Sequence, residues 1–464
     1  MKKNVLYRLY AAAFVGVCLV PSALMPVLKN DSTKEKRKLA EFPKFREDGK
    51  LNFDYFSQFE SWFSDHMALR QELVTADGRL RSAVFGTSAN PDVIVGRDGW
   101  LYYGDTADDF LRINTLSSRG IENIRHNLEL VDNWCSQNNA QFIFTCAPNK
   151  NTVYPEHMPF NYKSSGSASN YEMLTEALSG DEFFCDMKKT ILETDSSIPL
   201  YHKTDTHWNN LGAYAGHVKL MEMLGRESCP AGTGWFTRND RLGDLAAMLY
   251  PAESARDTQV YSDYEYTYVY EGRFRALDDV TIKTHCGTGE GELLMFRDSY
   301  GEAILPYMAE CFEKAEFSRA VPYRLTDISG KTVIIEIVER NLGDLQKYAP
   351  IMPAPEADTS GHVPKLYEGS ETVIRAEKSG MLTHVYGVLP DCFFSGDSAR
   401  IFVNAGGKTY EAFNCYEGSK LGDIGCEDNG FSLYIQTDED IDPDRISITV
   451  LNGDGSSVRT IEKS

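Results

Sequence analysis

The sequence predicts an α/β fold: a mostly parallel sheet covered by helices on both faces, with a membrane helix before it and an all-β domain after it. Three observations lead there. Short apolar runs alternate with amphipathic helical segments through the middle of the chain, the pattern of a parallel sheet. One run, Val333–Val338 (VIIEIV), is apolar almost throughout, as a strand buried on both faces is. An uncharged stretch, Leu9–Leu28, follows Lys2, Lys3 and Arg8.

That opening stretch has about the ~20 residues a bilayer core requires of a helix. The basic residues before it favour a cytoplasmic amino end. A cleaved signal peptide is the rival reading, since its apolar region needs only ~7–15 residues, and Pro21-Ser22-Ala23 offers a poor cleavage site. Both readings export the body; the expectation is an uncleaved single-pass anchor over 1–29, in the cell membrane, with the body extracytoplasmic. Residues 30–90 read as a juxtamembrane spacer and helical entry segment, where Phe53, Phe56, Phe59, Trp62 and Phe63 recur at helical spacing.

Residues 91–347 form the expected α/β domain. Val93–Tyr103 reads as a hairpin around a Gly/Asp turn. Ile121, Ile124, Leu128, Val131 and Cys135 share one helical face. Gln141–Cys146, Leu293–Phe296 and Val333–Val338 read as strands, and Leu211–Leu224 and Gly301–Cys311 as helices. Residues 348–364, with Pro350, Pro353, Pro355 and Pro364, read as a linker. Residues 365–464 show short alternating segments between Gly, Asp and Asn clusters, an all-β, sandwich-like texture.

Composition excludes several functions. The 464 residues are 42% hydrophobic and 12% aromatic, which suits a folded chain and not a disordered one. A net charge of −21 repels phosphate backbones and argues against a nucleic-acid partner. The ten cysteines include no CxxC pair, so a zinc ribbon is unsupported. Cys415 and Cys426 are the pair to test for a disulfide, buried thiols being the alternative.

Two short segments carry candidate chemistry: Lys203-Thr204-Asp205-Thr206-His207-Trp208 and Phe296-Arg297-Asp298-Ser299-Tyr300-Gly301. A serine between a strand and a helix presents its hydroxyl at the sheet's carboxyl edge, beside the positive end of the helix. Such a hydroxyl needs an imidazole to take its proton. An aspartate two residues before a histidine can hold the far ring nitrogen and fix the tautomer. Either segment alone is commonplace; their combination with the strand–Ser–helix context points to Ser299, His207 and Asp205 as nucleophile, base and orienter. His202, Asp205 and His207 could also bind zinc, but that would leave the setting of Ser299 unexplained, and no metal or other cofactor is expected.

These segments, together with Phe59–Arg70 (FESWFSDHMALR), Val93–Tyr103 (VIVGRDGWLYY), Ala147–Pro159 (APNKNTVYPEHMP) and Val333–Leu342 (VIIEIVERNL), resemble the alginate O-acetyltransferase (AlgX/AlgJ-like) family, including its DHHW branch. The resemblance covers roughly residues 40–345. It implies an SGNH-hydrolase-like three-layer α/β/α sheet of permuted order. It also implies an acetyl-serine at Ser299, an exported polysaccharide as acceptor and a separate membrane-bound acyltransferase as acetyl donor. Two departures stand out: Thr206 replaces the first histidine of the DHHW pattern, and Arg297 replaces the glycine of Gly-Asp-Ser. Arg297 is either a ligand for an anionic sugar or a surface ion-pair partner. The default oxyanion donor is Ser299 N–H; Asn149 is the side-chain candidate, a turn-forming role being its alternative. Lys150, Asp298 and Trp208 read as structural. The function expected is O-acetylation of a surface polysaccharide, the alternatives being a carbohydrate acetylesterase and a non-catalytic glycan-binding scaffold.

Overall fold

The computed structural model describes residues 2–28, 39–47, 49–164, 166–253, 256–367, 369, 371–421 and 428–460. Helix α1 (Lys2–Leu24) contains Val5–Leu24, 20 residues long and apolar enough to cross a membrane. Helices α2 (Tyr55–His66) and α3 (Arg70–Phe85) follow. Val93–Val95 and Leu101–Tyr103 pair as the expected hairpin.

The centre is a seven-stranded sheet. In chain order its strands are β1 (Gln141–Ala147), β2 (Phe184–Cys185), β3 (Val269–Glu271), β4 (Thr281–His285), β5 (Glu292–Phe296), β6 (Lys314–Ser318) and β7 (Thr332–Val338). In space the order is β2-β1-β7-β5-β6-β4-β3. The first five are mutually parallel; β4 and β3 add an antiparallel edge.

Side chains alternate across the pleat. Phe142, Phe144, Val333, Ile335 and Ile337 pack with Ile124, Leu128 and Val131 of α4 (Ser118–Gln137). Ile143, Ile334 and Val338 face the opposite layer. There they meet Ala213 and Leu220 of α5 (Asn210–Met223), and Ile304 and Met308 of a helix, Gly301–Cys311, that follows β5. The sheet is thus sandwiched between helices, as the apolar runs required. Every residue of β7 is buried.

An insertion between α5 and β3 was not legible as such. Trp235–Arg241 pairs antiparallel with Asp257–Ser262, and the short helix α6 (Asp244–Leu249) lies between them. Helix Gly301–Cys311 is accordingly α7.

The C-terminal region is strand-rich, as expected. A five-stranded and a three-stranded sheet enclose a core with Phe393, Ile401, Val403, Phe431, Leu433 and Ile448. The proline-rich segment expected as a linker is packed over its first half. Ala349 and Met352 join the α4-side core, and Pro353 and Glu356 form bridges to Tyr434 and Tyr410. Its apolar residues find partners on both sides, so the prolines set an extended path rather than a free tether. Cys415 is a buried free thiol, and Cys426 lies outside the described residues.

Candidate active site

The two chemistry-bearing segments converge at the carboxyl edge of the sheet, where open α/β sheets place ligands. Ser299 lies between β5 and α7 and is half-buried. Gly301 lets α7 approach the strand end: a Cβ there would sit 2.6 Å from Arg297 Cβ and 3.0 Å from Glu336 Oε2. The other segment forms a tight loop closed by a bridge between Tyr201 and Trp208. Asn209 then caps α5, accepting from Leu211 N and Gly212 N. The segments are stitched together directly: Trp208 Nε1 donates to Tyr300 O at 2.9 Å, and Tyr300 Oη donates to Thr206 O at 2.9 Å.

This places His207 Nε2 2.9 Å from Ser299 Oγ and His207 Nδ1 2.8 Å from Asp205 Oδ1. Asp205 is completely buried. Burial by itself would raise its pKa, but the hydrogen bond and charge of His207 and the cation of Arg241 outweigh that and hold it well below the usual carboxylate range. An ionised carboxylate only accepts, so Nδ1 carries the proton and Nε2 is left to accept from the serine hydroxyl. That is the arrangement in which an imidazole can take the serine's proton.

Arg241, at the end of the inserted strand, was missed by sequence reading. Its Nε and Nη2 lie 3.0 and 2.9 Å from Asp205 Oδ2. Burial lowers and Asp205 raises the Arg241 pKa, with a net rise. Asp244 was missed too; its Oδ1 accepts from Thr206 N at 2.8 Å and its Oδ2 lies 3.8 Å from His207 Nδ1. Asp205, His207 and Asp244 have donor atoms close enough to surround an ion. However, Asp205 already accepts from His207 N, His207 Nδ1, Arg241 and Asp244 N. No signal in sequence spacing joins Arg241 or Asp244 to the loop, because the insertion brings them back across more than 30 residues.

Lys150 supports the same loop from beneath. It is buried, and its Nζ donates to the carbonyls of His202, Lys203 and Asp205 at 3.1, 3.1 and 2.6 Å. Burial brings its pKa down to about 8, against the pull of Asp205. The rings of Trp100 and Tyr102 flank the ammonium, and Leu101 N donates to Lys203 O. The GWLYY hairpin is therefore part of the scaffold that holds Asp205. Gly243 packs against Thr204 so tightly that a Cβ would lie 2.3 Å from its carbonyl oxygen.

The two remaining candidates reach the same edge but make no hydrogen bond to Ser299 among the described residues. Arg297 is not an open anion ligand: it is 4% exposed, its guanidinium donates to the carbonyls of Asp298 and Leu277, and its Nη1 pairs with Glu302 Oε1 at 3.8 Å. The strand-to-helix turn and the segment between β3 and β4 each give it a backbone oxygen instead of solvent. Asn149 is fully buried; its Nδ2 donates to Asp109 Oδ2 at 3.1 Å and its N–H donates to Glu339 Oε2 at 2.8 Å. Burial pushes Asp109 up to about 6 and Glu339 up to about 7. Asp298 holds the turn, accepting from Tyr300 N and Val338 N. Among the described residues nothing engages Ser299 N–H, while the amides on either side of it are occupied by Glu336 and Asp298.

Residues 93–281 match the family described as SGNH hydrolase-like domain, acetyltransferase AlgX. Over those residues the chain is similar to an SGNH hydrolase-like domain of the AlgX type. The match includes Asp205 and His207 and ends before Ser299. A curated relative, the probable alginate O-acetylase AlgJ of Pseudomonas syringae pv. tomato, is 23% identical over 224 residues, 47% of this chain and 53% of the relative. The chain thus spans about half the length of that relative. Similar solved structures include Bacillus cereus PatB1, at 17% identity over 55% of this chain and 97% of that one, with a TM-score of 0.44. Another is a DHHW family protein from Eubacterium siraeum, at 17% identity over 54% and 95%, with a TM-score of 0.39.

Proposed function

We propose that this protein is a polysaccharide O-acetyltransferase that works through an acetyl-serine at Ser299. The observation that carries this is the Ser299–His207–Asp205 hydrogen-bond chain at the sheet edge, in a chain whose residues 93–281 match the SGNH hydrolase-like domain of the acetyltransferase AlgX. Ser299 Oγ attacks the carbonyl carbon of an acetyl donor as His207 Nε2 takes its proton. The tetrahedral intermediate collapses, and the leaving group departs with that proton. A sugar hydroxyl then attacks the acetyl-serine, gives its proton to His207, and the serine leaves as its oxygen is reprotonated. Ser299 N–H, without a partner among the described residues and next to the start of α7, is placed to donate to the oxyanion. Asp205 stabilises the imidazolium at each stage.

The apolar length of α1 supports an anchored, single-pass chain with its body outside the cytoplasm. In that setting the acetyl donor is a membrane-bound acyltransferase and the acceptor an exported polysaccharide. Water in place of the sugar would make the same machinery an acetylesterase.

The test is mass spectrometry of the full chain in detergent after brief exposure to p-nitrophenyl acetate. One acetyl group on Ser299, absent in Ser299→Ala and His207→Ala, is the expected result. Labelling of Ser299→Ala equal to that of the wild type would remove the serine from the mechanism. Release of acetate with an oligosaccharide present, but no acetylated sugar, would select hydrolysis over transfer.

A further inference from the structure

The segment leading into the sheet's antiparallel edge carries a continuous row of aromatic rings. Tyr264, Tyr266, Tyr268 and Tyr270 follow one another at every second residue, with successive ring centroids 5.3, 5.9 and 5.5 Å apart. Phe274 extends the row, stacked on Tyr270 at 3.7 Å. The row is rigidly founded. The Glu310 carboxylate accepts from Tyr264 Oη, Thr267 N, Thr267 Oγ1 and Tyr268 N, all within 3.1 Å. Tyr264, Tyr268 and Phe274 pack in part against the core, while Tyr266 and Tyr270 are 36% and 37% exposed, and Val269 more so.

Its direction matters. Strand β3 lies within this segment at the free edge of the sheet. It runs antiparallel to β4, which runs antiparallel to β6, which is parallel to β5. The row therefore climbs toward the same carboxyl edge at which Ser299 follows β5. Beyond Phe274 the chain reaches exposed Leu277, whose carbonyl accepts from Arg297, two residues before Ser299. Exposed Val280 accepts from Arg319 N at 2.7 Å.

We infer that this aromatic row is a binding strip for an uncharged pyranose polymer, leading the acceptor chain to Ser299. The inference rests on the acetyltransferase reading for its polymer. The C–H faces of successive sugar rings stack on aromatic faces, so a repeating line of rings fits a repeating line of sugars. The charge around the strip selects against polyanions: Asp263, Glu265, Glu271, Asp278 and Asp279 outnumber Arg273, Arg275 and, opposite Glu271 on β4, Lys283, and Arg275 is bound to Asp279. Arg297 cannot redress the balance, since its guanidinium is buried and turned to backbone carbonyls.

The test is isothermal titration of the full chain in detergent with cellohexaose, mannohexaose, the hexamer of N-acetylglucosamine and a mannuronate hexamer. Binding of at least one neutral hexamer is expected, weakened about tenfold or more in Tyr266→Ala/Tyr270→Ala. Tyr266→Phe/Tyr270→Phe should keep the wild-type affinity, because stacking requires the ring and not the hydroxyl. Neutral hexamers bound equally by the alanine variant, affinity lost equally in the phenylalanine variant, binding of the mannuronate hexamer alone, or no binding by the wild type would each overturn the strip. Acetylation of Ser299 by p-nitrophenyl acetate reports on the serine separately. Its failure in the wild type would sink the acetyltransferase reading whatever the sugars do.

Discussion

The carboxyl edge of the parallel sheet and the core of the C-terminal strand region are built from opposite materials. Around Ser299 the buried groups are charged or polar: Asp205, Lys150, Asn149, Arg297, Glu336 and Glu339. In the strand region the core between the two sheets is apolar, with Phe393, Phe431, Leu433 and Ile448 inaccessible. Some of its buried polar groups, such as His384, Ser432 and Glu417, bond to one another, and others lie where it meets α4. There Asn414 exchanges hydrogen bonds with Asn127 and Asn123, and Glu411 meets His126. Buried charge is costly unless each group is matched. An edge that carries so much of it trades stability for a preorganised field, whereas the strand region spends its burial on stability and on a specific, hydrogen-bonded seat.

The comparison breaks most sharply at Asp205. Asp205→Asn should lower turnover of p-nitrophenyl acetate by about 10³–10⁴-fold, because an amide no longer enforces the Nδ1–H tautomer. The thermal transition should survive, and a rate near wild type would dissolve the contrast. Phe431→Ala tests the other region. It should cost about 3–5 kcal/mol in denaturant unfolding while single-turnover acetylation of Ser299 in the still-folded protein is retained. A matching loss of acetylation would mean that the strand region takes part in the chemistry.

A third experiment measures the cost of the charged edge. Glu339 has its carboxyl pushed from 4.5 up to about 7 by burial, despite the Asn149 amide. Between those values the folded state holds a proton that the unfolded state has released, so stability falls as pH rises from about 4.5 to about 7. The difference is about 3 kcal/mol, at ~1.36 kcal/mol per unit. In Glu339→Gln that part of the pH dependence should vanish in urea titrations at pH 5 and pH 8. An unaltered pH slope would show that the edge stores no such cost there.

The smallest effect is expected at Arg241. Its guanidinium draws off part of the charge that Asp205 offers the imidazolium. Arg241→Gln removes one of the cations that hold Asp205 well below the usual carboxylate range, so that carboxylate is protonated at higher pH. The acidic limb of the rate–pH profile should then move to higher pH, with a loss of about tenfold on that limb and little above it. A uniform loss at every pH would make Arg241 a purely structural prop.

Sequence alone determined what periodicity and local spacing can express. The strands at 141, 293 and 333, the helices around 211 and 301, and the hairpin of 93–103 were legible because each is set by residues close together in the chain. Asp205 and His207 share one loop, so their contact was legible too. Ser299, 92 residues from His207, was legible only through its strand-to-helix setting. Tertiary structure decided what depends on distant parts returning to one place. Arg241 and Asp244 come back through the inserted strand pair; Lys150 reaches the loop from the end of β1; and the packed half of the proline-rich segment finds apolar partners on two sides. Arg297 shows the reason most plainly. An arginine in a sequence reads as an exposed cation, and only the turn and the distant Leu277 carbonyl, supplying backbone oxygens in place of water, make it a buried support.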